Sequence, residues 1–137
     1  MVRAALLMLA LAGLPAQAEE APARLGLTLV SAEPAGEGAC RLSFLAENGL
    51  GGDLDALVLE AVVFTRAGGV ERLMLLDFRD LPAGKPRVRQ FDLPGADCAA
   101  LGQVLINGAA RCEGVAQGGC IAALAPASRV AQMEVRG

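Results

Sequence analysis

The chain has 137 residues, 12 Lys plus Arg against 15 Asp plus Glu, 54% hydrophobic side chains, and no histidine, tryptophan or tyrosine. Lacking histidine, it has no Ser-His-Asp triad, no Cys-His pair and no His-ligated metal. The acidic balance speaks against a phosphate backbone as ligand, and Phe44, Phe64, Phe78 and Phe91 as the only aromatics make a poor platform for bases, so no nucleic-acid partner is expected.

In chain order, "MVRAALLMLALAGLPAQA" has the three parts of a secretory signal: Arg3, an apolar run from Ala4 to Leu14, and an A-x-A cleavage site at Ala16-Gln17-Ala18 behind Pro15. The run is shorter than the roughly twenty residues a membrane-spanning helix needs. The expected organisation is a signal peptide at 1–18, cleaved after Ala18, and one periplasmic domain at 19–137. Without Arg3, that domain carries 11 cations and 15 acids, net −4. No membrane span is expected in it, because Glu60 interrupts the best candidate, "LDALVLEAVVF".

"RLGLTLV" alternates, with Leu25, Leu27 and Leu29 on one face, which predicts a half-buried strand. "AEPAGEG" reads as a connection, and "CRLSFLAEN" as a second strand with Leu42, Phe44 and Ala46 inward. Asn48-Gly49 and the glycines after it predict a turn. "LDALVLEAVVFTR" and "VERLMLLDF" flank Ala67-Gly68-Gly69 as a hairpin, the first being the central strand. "RDLPAGKP" is a connection, "RVRQFDL" the fifth strand, "LGQVLINGAARC" the sixth and "CIAALA" the seventh, while "RVAQMEVRG" supplies a last edge strand and "CAALGQV" competes as a helical turn. Seven or eight short strands without an amphipathic helix predict an all-β fold, an immunoglobulin-like antiparallel β-sandwich.

Cys40, Cys98, Cys112 and Cys120 are an even number in an exported chain, which reads as two disulfides. With alternating strand directions, Cys40 at the start of the second strand and Cys98 past the end of the fifth meet at one end of the sandwich, since the second and fifth strands of an immunoglobulin-type sheet are neighbours. Cys112 and Cys120, in "RCEGVAQGGC", meet at the other. A redox pair usually has two residues between its cysteines, and a four-thiolate zinc site wants two close pairs. No metal or other cofactor and no catalytic residue is therefore expected.

Asp53 and Asp55 in "GGDLDAL" read as polar turn residues rather than calcium ligands, which would need more oxygens. Glu60, inside an apolar strand, is expected to face solvent. Lys85, Arg87 and Arg89 alternate, so a strand places them on one face, either as a patch for an anionic partner or as a solvated face that discourages edge pairing.

Asn48-Gly49, the spaced Leu54, Leu57 and Leu59, "VVF", Gly69-Val70, "LPAGK" and Phe91 resemble the extracytoplasmic FxLYD-type β-sandwich domains, with "VVFTR" at the place of that label's core. "VRQFDL", "GQVLINGAARC" and the four-cysteine layout are similar to short exported proteins of alphaproteobacteria. The resemblance implies a periplasmic sandwich and carries over no catalytic residue. The function expected is a non-enzymatic interaction or accessory domain that contacts another envelope protein. The alternative is a thiol-redox or copper-handling protein that uses Cys112 and Cys120.

Overall fold

A computed structural model describes residues 13–17, 22–116 and 118–137. The apolar run as far as residue 12 and the cleavage point after Ala18 lie outside the described residues. Eight strands build two sheets: β1 (Arg24–Ala35), β2 (Ala39–Gly49), β3 (Leu54–Thr65), β4 (Val70–Leu81), β5 (Arg87–Pro94), β6 (Leu101–Glu113), β7 (Leu124–Ser128) and β8 (Glu134–Arg136). One sheet has the order β5-β2-β1-β7, the other β4-β3-β6-β8.

The neighbours β2-β5 and β3-β6 are those of an immunoglobulin-type sandwich. The period-2 alternation places the core as the sequence predicts: Leu25, Leu27 and Leu29 of β1 and Leu42, Phe44 and Ala46 of β2 are buried. They face Leu57, Leu59, Ala61 and Val63 of the central strand β3, together with Leu76 and Phe78 of β4 and Val104 of β6.

Three expectations need correction. The sandwich is not wholly antiparallel, because β7 runs parallel to β1 and β8 parallel to β6. The chain changes sheets twice at its C-terminal side, and each time it enters beside a strand that starts at the same end. "AEPAGEG" is not all connection, since β1 continues to Ala35 with Glu33 opposite Arg41 and Pro34 opposite Cys40. Nor does Cys120 open the seventh strand. It lies in a helical turn, Gly119–Ala122, closed by Ala122 N–H donating to Gly118 O and Ala123 N–H to Gly119 O. The competing helical turn at "CAALGQV" is present as a 3-10 turn over Cys98–Ala100, whose Asp97 side chain accepts from Ala99 N–H.

Asn48-Gly49 are the last two residues of β2, and the bend itself follows at Leu50–Gly52. Asn48 sets that bend from below: its Oδ1 accepts from Leu50 N–H, and its Nδ2 donates to Gly52 O and Leu81 O. Gly49 is required by its neighbour rather than by its turn, because a Cβ there would stand 2.8 Å from Arg24 O.

Candidate interaction surfaces

The two disulfides are Cys40–Cys98 and Cys112–Cys120, with Cα separations of 5.1 and 6.1 Å. They sit at opposite ends of the sandwich, and each ties one sheet to a crossing into the other. Cys40 on β2 holds the segment between β5 and β6, and Cys112 at the end of β6 holds the helical turn before β7. The tight Cys112–Cys120 loop depends on Gly114, with φ +106°, where a Cβ would meet Asp53 O at 2.3 Å. Cys40, Cys112 and Cys120 are buried and Cys98 is half-buried. A thiol that exchanges with a partner needs access, which the Cys112–Cys120 bridge lacks.

Of the three alternating cations, Arg87 and Arg89 lie on β5 opposite Ala46 and Phe44, so they share its inner face at the rim of the sandwich. Lys85 precedes the strand in the loop from β4. Arg89 reaches across the gap between the sheets. Its Nε donates to Phe78 O at 2.8 Å and its Nη2 to Asp80 O at 3.1 Å, both on β4, with the Asp80 carboxylate 3.8 Å away. Arg72 makes the reverse connection from β4, with its Nη2 donating to Pro94 O of β5 at 2.6 Å. Glu71 holds Arg72 in place, and in return the hydrogen bond from Arg72 lowers the Glu71 carboxyl below its ordinary 4.5. Beneath these two arginines Phe44, Phe78 and Phe91 pack edge to face, with ring centroids 5.2 to 6.1 Å apart. Two edge strands of different sheets are thus laced together, and of the other two cations Lys85 is exposed and Arg87 half-buried.

Those two stand by a shallow depression of about 270 Å³, whose walls include Arg24, Glu47, Gly84 and Pro86. Lys85 lies between the last two. No family model, no curated protein and no solved structure matches the chain.

Asp53 and Asp55 are not brought together around an ion site. Asp53 Oδ1 accepts from Ala83 N–H at 2.8 Å and braces the loop before β5, while Asp55 is exposed. Among the described residues, no three His, Cys, Asp or Glu side chains stand where they could share a metal. No helix among them is long and apolar enough to cross a membrane. Glu60 faces solvent, as expected, on the outer face of the β4-β3-β6-β8 sheet. Around it that face is unusually apolar for a solvated surface: Leu73 and Leu75 of β4 are 73% and 59% exposed, and Val62 and Leu105 are half-buried. Sequence reasoning missed this face, the Arg72 and Arg89 struts and the Asn48 hub. Strict alternation in "ERLMLLDF" was the available signal, since it turns Leu73 and Leu75 away from the core that holds Leu76 and Phe78.

Proposed function

We propose that the chain is an exported, non-enzymatic interaction domain of the periplasm, and that the rim formed by Lys85 and Arg87 beside Arg24 contacts an acidic stretch of another envelope protein. The observation that carries this reading is the division of labour along β5. Arg89 is spent on holding the sheets together, which fixes β5 beside the depression and leaves half-buried Arg87, with exposed Lys85 in the loop before the strand, outside that tie. Two closed disulfides support an oxidising address, because such bonds persist outside the cytoplasm. Signal cleavage after Ala18 belongs to the same reading, and the intact mass of the exported product tests it by starting at Glu19. The burial of Cys112 and Cys120 supports a structural bridge over thiol exchange or copper handling.

Cross-linking in the periplasm with the full chain tests the contact. The expected result is a partner recovered at low salt, weakened by high salt, and lost on the double reversal Lys85→Glu/Arg87→Glu. Rim charges contribute about 0.2–1 kcal/mol each, so reversing two should weaken binding roughly tenfold. A partner held equally well by the reversed protein, or none recovered at all, overturns the proposal.

A further inference from the structure

The chain holds two Asn-Gly dipeptides, Asn48-Gly49 and Asn107-Gly108, and the fold treats them in opposite ways. In such a pair the side-chain amide stands next to a backbone nitrogen that no Cβ shields, so an imide ring can close between them. Asn48-Gly49 is locked against this. Asn48 is buried, its Nδ2 donates to Gly52 O and Leu81 O, its Oδ1 accepts from Leu50 N–H, and Gly49 is paired with Arg24. Asn107-Gly108 has none of these restraints. Asn107 is exposed, and no side-chain hydrogen bond among the described residues engages it. The register of β6 on β3 passes from Ile106 opposite Ala61 directly to Gly108 opposite Glu60, so Asn107 is the extra residue of a bulge. A bulged residue is left unpaired and the ladder around it is disrupted. On its other side β6 is covered by β8 only from Gln103 to Leu105. Among the described residues a Cβ at 108 would meet only Glu60 Oε2, 3.2 Å away, so the nitrogen that closes the ring has little bulk beside it.

From this contrast we propose that Asn107-Gly108 is a self-modifying site, at which the native protein converts Asn107 to aspartate and isoaspartate. The Gly108 amide nitrogen gives its proton to solvent and attacks Asn107 Cγ. A bond forms between that nitrogen and Cγ, the Cγ–Nδ2 bond breaks, and Nδ2 takes up a proton and leaves as ammonia. Water then opens the imide at either carbonyl. Opening at Cγ restores the ordinary backbone with an aspartate side chain, and opening at the main-chain carbonyl leaves isoaspartate, with the chain running on through Cγ. Nothing is oxidised or reduced. Ring closure needs the backbone to swing out of the extended form, which glycine permits and the interrupted ladder does not resist. The new carboxylate stands in a depression of about 510 Å³ that Asn107 shares with Glu60, Leu73 and Leu75. It puts a second negative charge beside Glu60, so an apolar patch of this face turns acidic as the protein ages. The inference goes beyond the partner reading above and uses a different surface, so either can fail alone.

Peptide mapping by mass spectrometry tests it, on the full chain held folded at mildly alkaline pH in water labelled with heavy oxygen. The expected result is progressive replacement of the Asn107 amide nitrogen by labelled oxygen, with that peptide splitting into aspartate and isoaspartate forms. Asn48 should lag by at least about tenfold, because reaction there waits for an opening that breaks its three buried bonds. In urea the lag should disappear, since neither asparagine is then held. Gly108→Ala should slow conversion of Asn107 several-fold, and only the end of the Glu60 side chain has to move to admit the methyl group. Circular dichroism checks that the sheets remain. Asn107→Asp carries the charge of the product and should elute with the aspartate form on anion exchange. Asn48 converting as fast as Asn107 in the folded protein, Asn107 converting only once urea unfolds the chain, or a rate indifferent to Gly108→Ala overturns the inference. The comparison of the two asparagines needs no variant, so it decides even where the substitution disturbs β6.

Discussion

Two residues show how local backbone demands are met by unlike means. Asn48, 2% exposed, serves three backbone groups at once, linking the bend after β2 to the end of β4. Asn48→Ala leaves Leu50 N–H and the carbonyls of Gly52 and Leu81 without that partner, and buried polar groups left unpaired cost more than the bonds contributed. The expected loss is about 2–3 kcal/mol, read as a lower urea midpoint with unchanged slope. Arg79 is the opposite case. Its φ of 59° is the single positive value on a described residue other than glycine, held where β4 carries an extra residue against β3 and where Asp77 Oδ1 accepts from Arg79 N–H. An L-residue in the left-handed region costs about 1–2 kcal/mol, part of which glycine returns through its freer unfolded chain. Arg79→Gly should therefore raise stability by about 0.5–1 kcal/mol, while Arg79→Val lowers it, and thermal melts of the two variants check the order.

At the scale of elements, the pairing of β4 with β5 across the sheets decides how the open side of the sandwich is closed. Both are edge strands, and an open edge invites another strand to pair. Arg89 occupies two backbone carbonyls of β4, and Arg72 one of β5. Arg89→Ala should cost about 2 kcal/mol, the contribution of hydrogen bonds from a charged donor, and should raise light scattering on storage as the β4 edge opens. Arg89→Lys should recover little, because one ammonium cannot span two carbonyls as the fork does. The carboxylates at this side set an acid limit. Arg72 holds Glu71 below 4.5, and the hydrogen bond from Arg41 holds Asp92 below 3.8. A folded value below the unfolded one means that the unfolded chain binds protons more readily. Both contributions are thus full above the ordinary carboxylate range and disappear as pH falls through the lowered values. Melting temperature should drop from about pH 5 downward, and more gently in Arg41→Gln, which has one such pair fewer. Little of this was legible beforehand. Alternation put Arg87 and Arg89 on one face, yet which backbone lies opposite depends on how the two sheets stack, a long-range fact that a strand's own period does not contain. Leu25, Leu27 and Leu29 were readable because their burial follows from that period alone. The last strands were hard to read for a different reason. "CIAALAPASR" is rich in small residues that fit a turn or a strand, so the crossing between sheets decides, and it makes a helical turn before β7 and a parallel entry.

For the whole molecule, the two bridges do unequal work for a reason set by chain length. They close loops with sequence separations of 58 and 8 residues. On the loop-closure account the longer bridge stabilises by about 4 kcal/mol and the shorter by about 2.5, against a total of about 5–15 for a domain of this size. Their positions add a second distinction. Together they bracket β6, at each end of which the chain crosses between the sheets, so losing either bridge frees one of these two crossings while the opposite end stays tied. The pairs Cys40→Ala/Cys98→Ala and Cys112→Ala/Cys120→Ala should lower stability in that order of severity. The effects should add in the protein that lacks both bridges, since they act at opposite ends and share no partner. Access runs against stability. Cys98 is half-buried whereas Cys112 and Cys120 are both buried, so a small thiol reductant attacks the long-loop bridge first in the native protein. Timed alkylation followed by peptide mapping should show Cys40 and Cys98 labelled before Cys112 and Cys120, with Cys112 and Cys120 labelled only as the fold opens. If the short bridge were reduced first, the sulfurs of Cys112 and Cys120 would have to be reachable, and the structural role assigned to them would fall.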